Sequence, residues 1–149
     1  GGMVDKFIGD CVMALWNAPA DDPGHPEHAV AAGRAMISGI AALNTQLARD
    51  GHAVTLACGV GINTGECTVG NMGSALRFDY TAIGDPVNLA SRLESLTKEF
   101  GTPMLLGFET ARRLTETKVI ELGRTPIKGR QQDEAVFAPE DLAPATATR

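Results

Sequence analysis

The chain has 149 residues, 44% of them hydrophobic and 21% charged, with a net charge of -5 at pH 7. This balance suits one folded domain and excludes a largely disordered chain; it also excludes a surface that tracks nucleic-acid phosphates, which needs clustered Lys and Arg. No apolar run approaches the roughly 20 residues of a membrane helix and no stretch reads as a secretory signal, so the expected setting is cytoplasmic, without direct membrane contact by this domain, and compatible with a longer parent chain tethered to a membrane.

Chain order begins with a strand-turn-strand pattern. Phe7, Ile8, Val12 and Met13 flank Gly9-Asp10, which predicts two short strands joined by a tight turn that holds a carboxylate, a sensible place for a metal ligand. Residues 17–26 are rich in Pro, Asp and Gly and read as a loop. His25 and His28 follow Asp21 and Asp22 there. No third or fourth ligand converges in the pattern, so they read as a solvated loop rather than a zinc site. From residue 27 to about 50, Ala29, Val30, Gly33, Met36, Ile37, Ile40, Leu43 and Leu47 recur at helical spacing, and the stripe is assigned to the core. The three cysteines, Cys11, Cys58 and Cys67, lack metal-type spacing and are expected to be buried, reduced thiols.

Residues 54–61 predict a central strand that runs into a turn at 62–65, and residues 67–70 with 76–82 predict a second hairpin. The repeated glycines there suggest bulges or close backbone approach. A dinucleotide-binding glycine motif begins at Gly59 but has Thr64 at its last position, and that reading is set aside. Asp85 is a candidate helix cap before Pro86, with Val87, Leu89, Ala90, Leu93 and Leu96 carrying an apolar stripe towards Phe100 and Gly101. Residues 103–106 predict a strand, 109–114 a short helix, 119–122 a strand, and 126–130 with 135–138 a closing edge hairpin. Strands and helices thus interleave in one α/β sandwich over residues 1–139, followed by an Ala/Pro/Thr-rich tail or linker at 140–149.

The run Asp5-Lys6-Phe7-Ile8-Gly9-Asp10-Cys11-Val12-Met13-Ala14, read with Asp79-Tyr80-Thr81-Ala82-Ile83-Gly84-Asp85-Pro86-Val87-Asn88-Leu89-Ala90-Ser91-Arg92, resembles the two signature stretches of class III nucleotidyl cyclases. The resemblance spans residues 4–137. It implies a ferredoxin-like α+β fold with a mixed, largely antiparallel sheet and helices packed on it, entered after the family's first strand and helix. It further implies an adenylate cyclase that converts ATP to 3′,5′-cyclic AMP and pyrophosphate with two Mg²⁺ or Mn²⁺ ions per site. Asp10 matches the second of the family's two metal-holding aspartates. The first falls before this sequence begins, so the fragment alone is expected to be inactive.

Lys6 matches the base-selecting position, where an ammonium donates to adenine N1, and Thr81 the second base-reading position, where a hydroxyl accepts from the N6 amine. Guanine, with N1–H and O6, would call for an acceptor such as Glu in place of Lys6. Thr81 stands where many adenylyl cyclases carry Asp and matches a subgroup with this Lys/Thr pair. Asn88 and Arg92, four residues apart and so on one helix face, match the family's transition-state pair. Lys128, in Ile127-Lys128-Gly129-Arg130, matches a lysine that holds the terminal phosphates. The implied partners are ATP and a second copy of the chain, one protomer supplying the metal aspartates and the other Lys6, Thr81, Asn88 and Arg92. Regulatory domains in a longer parent chain are also implied. Two alternatives stay open: a guanylate cyclase, which the base-reading pair disfavours, and a non-catalytic nucleotide-binding or dimerisation module of a signalling protein.

Overall fold

The chain opens with an antiparallel hairpin in which β1 (Met3–Ile8) pairs with β2 (Cys11–Leu15). The structure, a computed structural model, describes residues 1–74, 77–126 and 133–145. A loop leads into α1 (His25–Arg49), which begins with Pro26 and Glu27 in its first turn, where a missing N–H costs nothing and a carboxylate faces the positive helix end. There follow β3 (Val60–Ile62), β4 (Thr68–Ser74), β5 (Arg77–Ile83), α2 (Asp85–Leu96) and β6 (Met104–Gly107). The last elements are α3 (Phe108–Ala111), β7 (Val119–Thr125), β8 (Glu134–Pro139) and a 3₁₀ turn at Glu140–Leu142. Among the described residues no helix is long and apolar enough to cross a membrane.

A four-stranded mixed sheet, in the order β3-β6-β8-β7, carries the core. It combines a parallel β3-β6 pair with antiparallel β6-β8 and β7-β8 pairs, while β1-β2 and β4-β5 form two separate two-stranded units. Alternation along β6 sends Leu105 to one face, where it packs with Leu89, Leu93 and Val136, and Met104 and Leu106 to the other, where they meet Val30. The strand is buried on both faces, which is why its sequence is an unbroken apolar run. β3 follows the same rule. Val60 and Ile62 join the α1 side, while Gly61 faces α2 so closely that a Cβ would strike the backbone of Ala90 and Glu94.

Four expectations need correction. Residues 54–59 are not strand, since the Asn44 side chain takes both backbone groups of Leu56 (2.8 Å each) in place of a neighbouring strand. The segment at 135–138 is not at an edge: β8 lies between β6 and β7. The chain beyond Pro139 does not start as a free tail, because the Glu140 N–H donates to the Lys118 carbonyl (2.9 Å), Asp141 pairs with Arg34 and Leu142 packs against the core. The α1 stripe is only partly core. Val30 is buried, yet Met36 and Leu43 are exposed, because the helix outruns the sheet beneath it.

Candidate active site

Two local devices set out the site. The first is the β1-β2 turn: Ile8 faces Cys11 across the hairpin, leaving Gly9-Asp10 as a two-residue loop, and Gly9 adopts φ 63°, a conformation that only glycine takes without a steric cost. Asp10 therefore stands exposed at the tip, with the Cys11 thiol 4.0 Å from its Oδ1. Cys11 is itself exposed, contrary to the buried thiol expected; Cys58 and Cys67 are partly buried, and burial pushes both thiols up from their ordinary range.

The second device is the β5-α2 junction. Thr81 sits in β5 opposite Gly70 of β4 and is 9% exposed. Three residues later the strand gives way at Gly84 to α2, whose helix begins at Asp85 with Gly84, and not Asp85, at the cap position. Leu89 and Leu93 bury one stripe of α2, which leaves Asn88 exposed and Arg92 partly buried along the same flank. The Asn63 side chain braces this start, donating to the Pro86 carbonyl at 3.2 Å.

The fold brings Lys6 and Thr81 together. Lys6 Nζ donates to Thr81 Oγ1 at 3.1 Å across 75 positions of sequence. A residue that the sequence reading passed over joins them: Thr81 Oγ1 donates in turn to Asp5 Oδ2 at 2.5 Å, and Lys6 Nζ lies 3.3 Å from Asp5 Oδ1. The signal available in the sequence was an acidic residue beside Lys6 in an otherwise apolar strand. Lys128 lies outside the described residues. Among the described residues no group of three or more His, Cys, Asp and Glu side chains converges as a metal site.

Elsewhere, a cavity of about 730 Å³ opens between the start of α1, residues 115–118 and the 3₁₀ turn. Charges of both signs line it, and three are committed internally: Arg34 and Asp141 to each other at 2.7 Å, and Glu27 to residues 115–117. It lies apart from the Lys6-Thr81 pair. His28 Nδ1 meets Asp22 at 2.8 Å, and that hydrogen bond holds the Asp22 carboxyl below its ordinary value.

The sequence matches the Adenylate and Guanylate cyclase catalytic domain family over residues 5–138. The chain belongs to that family. This cyclase domain is 39% identical to adenylate cyclase 1 of Rhizobium meliloti (strain 1021) over 130 residues, which cover 87% of the chain and 19% of that relative. Among solved structures it resembles the adenylyl cyclase CyaB from P. aeruginosa, with TM-score 0.83, 36% identity, and 91% and 70% of the two chains covered. It also resembles the guanylyl cyclase Cya2, with TM-score 0.79, 31% identity, and 95% and 74% covered. The mixed sheet and its two packed helices match this cyclase architecture.

Proposed function

We propose that this cyclase domain is the catalytic unit of an adenylate cyclase, converting ATP to 3′,5′-cyclic AMP and pyrophosphate. The observation that carries the reading is the Lys6-Thr81 contact at 3.1 Å. An ammonium has three donors and no acceptor, whereas a hydroxyl has one donor and two acceptor pairs. Side by side, they offer a donor for adenine N1 and an acceptor for its N6 amine. Guanine would set its N1–H against the Lys6 donors, so the guanylyl cyclase neighbour does not shift the choice.

The remaining residues take roles along the triphosphate. Asn88 orients the ribose so that its 3′-oxygen lies in line with the α-phosphorus. The 3′-oxygen forms a bond to that phosphorus, the bond from the α-phosphorus to the bridging β-phosphate oxygen breaks, and pyrophosphate leaves with the electron pair while the hydroxyl proton is released. Arg92 neutralises charge that builds on the α-phosphoryl oxygens, and Lys128 holds the terminal phosphates. Two Mg²⁺ or Mn²⁺ ions, when bound, neutralise the triphosphate and make the 3′-hydroxyl more acidic. Asp10 offers one carboxylate to them; the described residues do not by themselves fit a two-cation site. The working unit is a homodimer with composite sites, Asp10 of one protomer facing Lys6, Thr81, Asn88 and Arg92 of the other. Exposed Phe7, Ile8 and Val12 on the hairpin support a surface that another chain covers.

In full-length protein, Lys6→Glu combined with Thr81→Cys should move kcat/KM from ATP towards GTP. An unchanged ATP/GTP ratio would remove the base-reading role, and absence of either cyclic nucleotide from the unaltered dimer would favour a non-catalytic module.

A further inference from the structure

We infer that Asp5 is the specificity-determining positioning residue behind Thr81: its buried carboxylate takes the single proton of the Thr81 hydroxyl, so that Thr81 can only accept from the base. The inference rests on the base-reading role proposed for Lys6 and Thr81, and deepens it.

The backbone explains how Asp5 gets there. On a regular strand, residues 5 and 6 would project to opposite faces. The β1-β2 register slips at this point: Val4 pairs with Ala14 and Lys6 with Met13, which leaves Asp5 without a cross-strand partner. Such a bulge re-aims side chains. Here Asp5 and Lys6 both reach the same hydroxyl, Asp5 through Oδ2 at 2.5 Å and Lys6 through Nζ at 3.1 Å.

Burial makes the arrangement costly unless it is used. The Asp5 side chain is 1% exposed, against 36% for Lys6. A carboxylate this deep needs charge or hydrogen-bond partners. Asp5 Oδ2 has the Thr81 hydroxyl, while Oδ1 makes no hydrogen bond and relies on Lys6 Nζ at 3.3 Å. Among the described residues, the partners of this buried charge are thus the two candidate base readers.

Proton counting then fixes the role of Thr81. An ionised carboxylate accepts only, so the Thr81 proton points at Asp5; Lys6 donates into one oxygen lone pair, and one lone pair remains. That lone pair suits the N6 amine of adenine and repels the O6 of guanine. Without Asp5, the hydroxyl is free to rotate and donate to O6, and the discrimination that a neutral threonine provides is weakened. Asp5 thereby confers on a hydroxyl the acceptor-only character of a carboxylate.

The test is kcat and KM for ATP and GTP in full-length protein bearing Asp5→Asn, Thr81→Val, or both, with folding checked by circular dichroism. Asp5→Asn should lower the ATP/GTP ratio of kcat/KM by about tenfold or more, chiefly through KM, the scale for one hydrogen bond to a charged group. In the Thr81→Val background the same change should leave the ratio unaltered. Asp5→Ser, smaller and able both to donate and to accept, is the second variant should Asp5→Asn not fold, with the same loss expected. If Thr81→Val collapses the ratio but folded Asp5→Asn or Asp5→Ser does not, the role of Asp5 is refuted and base reading stands. If Asp5→Asn weakens ATP and GTP use equally, Asp5 is only structural and the inference is overturned. If Thr81→Val leaves the ratio untouched, base reading itself is wrong and the inference goes with it.

Discussion

Replacing Glu27 with Gln tests how the start of α1 is tied to the far side of the domain. Its Oε1 accepts from the backbone N–H groups of Thr115 (2.8 Å), Glu116 (2.9 Å) and Thr117 (3.2 Å), and its Oε2 from the Thr117 hydroxyl (2.7 Å). Burial pushes the carboxyl up, but the N–H of Glu116, the hydroxyl of Thr117 and the other two N–H groups outweigh it and hold the group at about 2, below the ordinary 4.5. A depressed folded-state value adds stability that is present above the unfolded value and is lost as pH falls through the folded one. The span from 4.5 to about 2 corresponds to about 3 kcal/mol for a group shielded from water; solvent screening of the partly exposed Glu27 reduces this to about 1–2 kcal/mol. Gln keeps the shape and cannot ionise. Urea unfolding should therefore show Glu27→Gln less stable by about 1–2 kcal/mol near pH 7, with more than half of that gap gone by about pH 3. A gap of equal size at both pH values would refute the charge-based account.

Arg92→Ala should lower kcat by about two to three orders of magnitude with a much smaller change in KM, since its interaction forms mainly in the transition state; a kcat within a few-fold of the unaltered enzyme would reduce Arg92 to a surface residue. Full-length Asp10→Asn and Arg92→Ala proteins, each strongly impaired alone, should recover cyclic AMP formation when mixed and allowed to exchange subunits, because the heterodimer holds one intact composite site. Heterodimers that form yet stay inactive would defeat the shared-site mechanism. Gly61→Ala should destabilise the domain by about 1–3 kcal/mol in urea unfolding, because the new Cβ meets backbone of Ala90 and Glu94 that cannot turn aside; unchanged stability would mean that the β3-α2 contact is looser than described.

Local chemistry decided much of this protein. The tight turn at Gly9-Asp10, the helix opened by Asp85-Pro86 and the apolar run of β6 follow from short-range rules of glycine conformation, proline geometry and side-chain alternation. The sequence alone therefore placed Lys6, Asp10, Thr81, Asn88 and Arg92 on the right kinds of element. It also placed Asn88 and Arg92 on one helix face, since that relation spans a single turn.

What only the tertiary structure decided is which distant groups meet. A β-rich stretch at 54–59 becomes strand only if a neighbour offers its backbone, and here the Asn44 side chain takes that place. Similarly, β8 is interior because β6 and β7 both reach it, and residues 140–142 are held because Lys118 and Arg34 lie within reach. Asp5 is the clearest case. Its sequence context reads as an acidic residue beside Lys6 in an otherwise apolar strand, and it acquires its partner only when the β1 bulge turns it inward and β5 brings Thr81 across 76 positions to meet it. Periodicity encodes which face a side chain takes, but a bulge breaks the period, and the partner of a buried charge is set by packing between segments that no local pattern connects.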